Sequence, residues 1–69
     1  MAETSIAKVI EISAESPNSF EDAIVRGIQK ASQTIQNIKS AWVKEQEVKV
    51  ENGQVSQYRV MLKVTFIVN

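Results

Sequence analysis

The stretch WVKEQEVKVENGQVSQYRVMLKVTF, Trp42–Phe66, decides the fold. Asn52-Gly53 lies near its middle. An Asn-Gly pair between alternating hydrophobics is the strongest short-range hairpin signal, because both central residues of a type I′ turn need positive φ. On either side apolar and polar residues alternate, the period of a half-buried strand. The hairpin is expected over about 41–51 and 54–68. In its second arm Tyr58, Val60, Leu62, Val64, Phe66 and Val68 share one parity and form an unbroken apolar face. The other parity is mixed: Val55, Gln57, Arg59, Met61, Lys63, Thr65 and Ile67. A tight turn sets Glu51 opposite Gln54. Val43 then faces Leu62, Trp42 faces Lys63, Lys44 faces Met61 and Gln46 faces Arg59. Trp42 points onto the mixed face, with nothing in its own subunit to bury against.

Upstream of the hairpin the period changes twice. Residues 5–13, SIAKVIEIS, carry Ile6, Val9, Ile10 and Ile12 and read as a strand. AESPNS breaks it, with Pro17 disfavouring helix at Ser16. Asn18 or Ser19 can cap the next element, and Glu21 and Asp22 fall in its first turn, where the helix dipole favours acids. Phe20, Ala23, Ile24, Gly27, Ile28, Ala31, Ile35 and Ile38 then recur at spacings of three and four, an amphipathic helix. Arg26, Gln29, Lys30, Gln33, Gln36 and Asn37 take the opposite face. Gly27 costs the helix about 1 kcal/mol against alanine, so its place on the apolar stripe points to close packing on a sheet. The predicted fold is α+β, a β-α-β-β unit in which a three-stranded antiparallel sheet wraps one helix. One helix covers one sheet face. The other keeps Trp42, Met61, Ile67, Val48, Val50 and Val55, and an exposed apolar patch of that kind marks a partner or a ligand.

Sixty-nine residues make a single domain, 1–69. A chain this short is marginal alone, and small domains usually gain stability from disulfides, a metal or oligomerisation. It has no cysteine and no histidine, which excludes disulfides, thiolate metal sites and every His-dependent catalytic triad. Oligomerisation is the expected staple, and an enzyme is not expected. Eight basic and eight acidic residues cancel, so charge supplies no argument for nucleic acid or an anionic membrane. No apolar run is long enough to span a bilayer, and MAETSIAK lacks the features of a signal peptide. A cytoplasmic location is expected.

The order of elements and several short stretches together resemble the dodecin family. They are KVIEI at 8–12, SPNSF at 16–20, EDA at 21–23, ASQT at 31–34, ENGQV at 51–55 and YRVMLKVTF at 58–66. The resemblance runs without an internal gap from about Ala7 to Phe66 and rests on joint order and spacing. It implies a hollow homododecamer that binds or stores a small ligand, in many members riboflavin or FMN stacked between tryptophans. This chain departs from the family at the flavin site. Ser40 stands at the stacking tryptophan and Ala41 at the neighbouring phenylalanine. Trp42 comes two residues later, where glutamate is usual. Arg59 replaces the flavin-contacting glutamine, Glu47-Val48 the Arg-Gly pair, and Thr65 a glycine. These changes resemble a divergent branch without the tryptophan pair, of which one member is described as a calcium binder.

Each candidate site residue has a functional and a plain reading. Trp42 can serve as a platform for a planar ligand or pack against another subunit. Arg59 can hold a phosphate or carboxylate by its planar fork, or pair with Glu47 or Glu45. Gln57, Ser40 and Lys63 share the face of Trp42 and can donate hydrogen bonds to a ligand, or simply be polar strand residues. Glu45, Glu47 and Glu51 can contribute to a calcium site. Calcium takes six to eight oxygens, so neighbours at a symmetry axis must supply the rest. Their plain reading is a solvated charged strand end.

Overall fold

At the hairpin turn Asn52 has φ 53° and Gly53 φ 75°, the two positive values that a type I′ connection requires. The computed structural model of the protein describes residues 4–68. Strand β1 (Ala7–Ser16) is followed by helix α1 (Phe20–Ala31) and the hairpin strands β2 (Ile38–Glu51) and β3 (Gln54–Ile67). The sheet order is β1-β3-β2, antiparallel throughout. Strand β3 is central, and its even residues from Tyr58 to Phe66 are apolar without interruption. Val60, Leu62 and Val64 are buried together with Ala23 of the helix, and Ile10, Ile12, Phe20, Ile24, Ile28 and Val43 pack around them. Phe20 meets Tyr58 edge to face, with centroids 5.2 Å apart, a preferred aromatic geometry.

Helix α1 starts where its cap permits. The Ser19 hydroxyl accepts a hydrogen bond from the Asp22 amide at 2.9 Å, satisfying one of the orphan donors of the first turn. Ser19, and not Asn18, is therefore the cap. Ser16 is 1% exposed and fully engaged. Its hydroxyl donates to Asp22 at 2.5 Å and accepts from the Asn18 amide at 2.9 Å. Arg26 Nε donates to the other Asp22 oxygen at 3.0 Å. The Ser16 hydroxyl first, then Arg26 and Asn18, hold the Asp22 carboxyl below the usual carboxylate range.

A carboxyl whose folded pKa is depressed contributes stability above its unfolded pKa and loses it as pH falls through the folded value. The melting temperatures of the protein and of Asp22→Asn are therefore expected to converge as pH drops below the ordinary aspartate range. A gap that stays constant through that range would exclude this role for Asp22.

Three boundaries differ from expectation by three residues or more. Strand β1 continues to Ser16, three residues beyond its predicted end, because Ala14, Glu15 and Ser16 find partners in Val60, Arg59 and Tyr58. Pairing overrides local propensity there. The helix stops at Ala31, although the apolar period runs on to Ile38. Thr34 Oγ1 and the Ile35 amide both donate to the Ala31 carbonyl, closing the end of the helix. Asn37 has φ 63°, a left-handed conformation that asparagine tolerates better than most residues. Ile35 lies in the connection and Ile38 opens β2. Strand β2 thus begins three residues earlier than predicted.

The chain is drawn out to 58 × 20 × 15 Å, with a radius of gyration of 14.6 Å. About 11 Å is usual for this length. The excess is the hairpin end, since β1 pairs with β3 only as far as Tyr58.

Candidate functional site

Register decides which side chains meet on the face opposite the helix. Trp42 faces Lys63 and Val43 faces Leu62, as a tight turn requires. Between Val43 and Glu45 the register shifts, and it shifts back between Lys49 and Val50. Glu45, not Lys44, lies opposite Met61, and Glu47, not Gln46, lies opposite Arg59. Lys44 is the extra residue of a β-bulge, a device that reaims side chains. In the segment after the bulge, the odd residues of β2 share a face with Trp42. Val48 now pairs with Tyr58 and Val50 with Val55. These three valines belong to the helix side, contrary to expectation, while Trp42, Met61 and Ile67 keep the helix-free side. Val48, Val50 and Val55 are exposed, beyond the reach of the short helix.

The helix-free face is crossed by ion pairs that span the central strand. Lys44 reaches Glu11 at 3.0 Å and Lys49 reaches Glu15 at 3.0 Å, each linking β2 to β1. Arg59 donates from Nη1 to Glu47 at 3.3 Å and from Nε to Ser13 at 3.2 Å. The Lys44 hydrogen bond and charge hold the Glu11 carboxyl below its ordinary range, with a smaller contribution from Lys63. Glu11 in turn raises Lys44. These pairs are solvent-exposed, so they order the surface more than they stabilise it.

By register, the Lys44–Glu11 bridge crosses β3 between Lys63 and Met61. A separate hollow opens on each side of that crossing. One, of about 620 Å³, is lined by Val9, Ser40, Ala41, Trp42, Lys63 and Thr65. The other, of about 330 Å³, is lined by Glu45, Gln46, Glu47, Arg59 and Met61. Trp42 is 65% exposed, and the Lys63 ammonium lies 5.4 Å from its ring centroid, within cation–π range.

The candidate residues therefore divide into groups. Ser40, Trp42 and Lys63 come together. Arg59, expected near the indole in its own or a neighbouring chain, lines the other hollow of its own chain, where Glu47 and Ser13 hold it. Gln57 lies opposite Lys49, farther towards the turn. Glu45 and Glu47 share the second hollow, but Glu51 lies at the hairpin end opposite Gln54. No cluster of three acidic, histidine or cysteine side chains able to hold a metal forms among the described residues. The described carboxylates of one chain therefore do not by themselves fit a calcium ion. The hollow around Trp42 has the room and the aromatic surface that a planar ligand needs.

Sequence reasoning missed Val9, Ala41 and Thr65 as lining residues. Val9 enters because it pairs with Thr65. No turn links β1 to β3, so no local signal fixed that register.

A three-stranded antiparallel sheet with one helix on one face and an open, furnished opposite face defines a small β-α-β-β fold. The chain belongs to the dodecin family: the Dodecin family model matches residues 6–69. It is 37% identical over 62 residues to calcium dodecin of Mycobacterium tuberculosis, covering 90% of this chain and 87% of that protein. Among solved structures, dodecin from Streptomyces davaonensis superposes with a TM-score of 0.92 at 31% identity, over 97% of this chain and 98% of that one. The crystal structure of the calcium-chelating antigen calcium dodecin from Mycobacterium tuberculosis, described as having a novel calcium-binding site, gives 0.81 at 36% identity, over 94% and 93%. No helix among the described residues is long and apolar enough to cross a membrane.

Proposed function

We propose that the protein is a homo-oligomeric binding or storage protein, a dodecamer by family resemblance, that holds a small planar ligand of the flavin class. FMN and riboflavin are the first candidates. The observation that carries this reading is the exposed Trp42 indole in its hollow, flanked by Ser40 and Lys63. Ser40, at the family's stacking position, and Trp42 leave the same face, since they pair with Thr65 and Lys63. The shift along the strand is about 7 Å. Arg59 and Gln57 reach such a ligand only if a neighbouring subunit presents them. The same reading is of binding without catalysis and places the protein in the cytoplasm, where a chain without cysteine is indifferent to reducing conditions. Zero net charge supplies no attraction to nucleic acid or membrane.

Oligomerisation follows from surface that one chain leaves uncovered. Val48, Val50 and Val55 project beyond the helix, and Trp42 and Val9 are open on the other face. Light scattering at micromolar concentration is expected to give many times the 7.7 kDa chain mass. A folded monomer would exclude the cage. Trp42→Ala is expected to abolish quenching of added flavin fluorescence while the assembly keeps its mass. If the variant loosens the assembly and the parent quenches no flavin, Trp42 is interface packing.

A second reading is a flavin-free cage that binds calcium, favoured by the relative named calcium dodecin. Glu45, Glu47 and Glu51 would then act with carboxylates of neighbouring copies, because one chain does not gather them. A rise in melting temperature with calcium, absent in Glu45→Gln, supports that reading.

A further inference from the structure

We infer that the Trp42 hollow selects planar ligands carrying an anionic group, a phosphate or carboxylate, and that Lys63 is the discriminating residue. The inference rests on the planar-ligand reading and adds the charge of what is bound.

Four cations stand on the helix-free face: Lys44, Lys49, Arg59 and Lys63. Three are engaged, by Glu11, Glu15 and Glu47. Of these four, Lys63 alone makes no salt bridge among the described residues. Its register partner on β1 is Glu11, and its charge acts on that carboxyl, but Glu11 Oε1 is taken by Lys44. The Lys63 ammonium rests over the indole instead. Ser40 and Thr65, which are register partners lining the same hollow, have side-chain hydroxyls that make no hydrogen bond among the described residues.

An ammonium without a salt bridge and two hydroxyls without hydrogen bonds among the described residues thus line the same hollow as one exposed aromatic ring. A ring stacking on the indole face that Lys63 covers must displace the ammonium. A neutral ligand gives that cation nothing in return. An anionic ligand gives it a charge-assisted hydrogen bond, stronger than a neutral one, and offers acceptors to Ser40 and Thr65. The hollow is therefore matched to a ligand with an aromatic plane and a negative group a short distance from it.

Riboflavin and FMN have the same ring and differ by one phosphate, which makes them the direct probes. The assembled protein is titrated with each, following quenching of flavin fluorescence, at low and high salt. FMN is expected to bind about tenfold tighter at low salt, a factor equivalent to one charge-assisted hydrogen bond. The preference should shrink as salt screens it. Lys63→Gln is expected to bring the two affinities together, and Lys63→Arg to keep FMN ahead. Equal affinities in the parent protein, or an undiminished preference in Lys63→Gln, overturn the inference and leave the planar-ligand reading standing. If neither flavin binds the parent protein, the planar-ligand reading falls and the inference with it. The parent comparison needs no variant, so a substitution that disturbs folding does not blunt the test.

Discussion

Leu62→Ala is expected to destabilise the protein by about 2–5 kcal/mol, the range for emptying a leucine site in a packed core. Leu62 is 0% exposed and is the largest of the fully buried side chains. It lies on the central strand, opposite Ile12 of β1 and Val43 of β2, and its Cδ1 comes within 3.8 Å of the position a Cβ would take at Gly27. A small domain has only a few kcal/mol of net stability, so this one change is comparable to the whole. The measurement is a thermal or urea melt at fixed protein concentration, because assembly contributes to apparent stability. Val25→Ala is the control. Val25 is on helix α1 and exposed, and its loss is expected to change stability by no more than about 0.5 kcal/mol. Equal effects from the two changes would mean that the buried face has been misassigned.

Gly27→Leu should be the next most damaging substitution, against what helix propensity suggests. Leucine is a better helix former than glycine by nearly 1 kcal/mol, so on propensity alone the variant would gain stability. A Cβ built at Gly27 lies 3.0 Å from the Ala14 Cβ, closer than two carbons pack. Here helix and sheet touch almost backbone to backbone, and a leucine must push them apart. Overpacking of this kind costs about 1–3 kcal/mol, which exceeds the propensity gain. Gly27→Ala should cost less, and adding Ala14→Gly to it should recover part of the loss. A higher melting temperature for Gly27→Leu would show that the contact is looser than these distances indicate.

How much of this was legible in the sequence depended on how local the signal was. Asn52-Gly53 states its own geometry, so the turn and the first pairs beside it were correct. The apolar parity of β3 fixed the core at Val60, Leu62 and Val64. Counting onwards from the turn failed at the first register shift and came right again only beyond Lys44, where the second shift cancels the first. Between the two, Glu45 and Glu47 exchanged faces with Gln46 and Val48. No residue type announces a bulge at Lys44, and its reward, the reach to Glu11, lies on a strand thirty-three positions away. The helix was read too long because Ile35 and Ile38 continue its period by chance of spacing. They serve the connection and β2 instead. Of the candidate site, Trp42, Ser40 and Lys63 were legible as one group because they lie beyond these two shifts and short of a third, between Ile38 and Ser40. Arg59 lies between the first two, so its register partner was misplaced from Glu47 to Gln46, although its ion pair with Glu47 was legible in the charges.

The single tryptophan has a practical consequence. Every photon of indole emission from this protein originates in the hollow beside Lys63, with no second indole to dilute it. Solvent, the adjacent ammonium and any occupant all act on that one emitter. The chain therefore carries its own optical gauge, whose colour and intensity report on water and charge at this spot without a dye or a label.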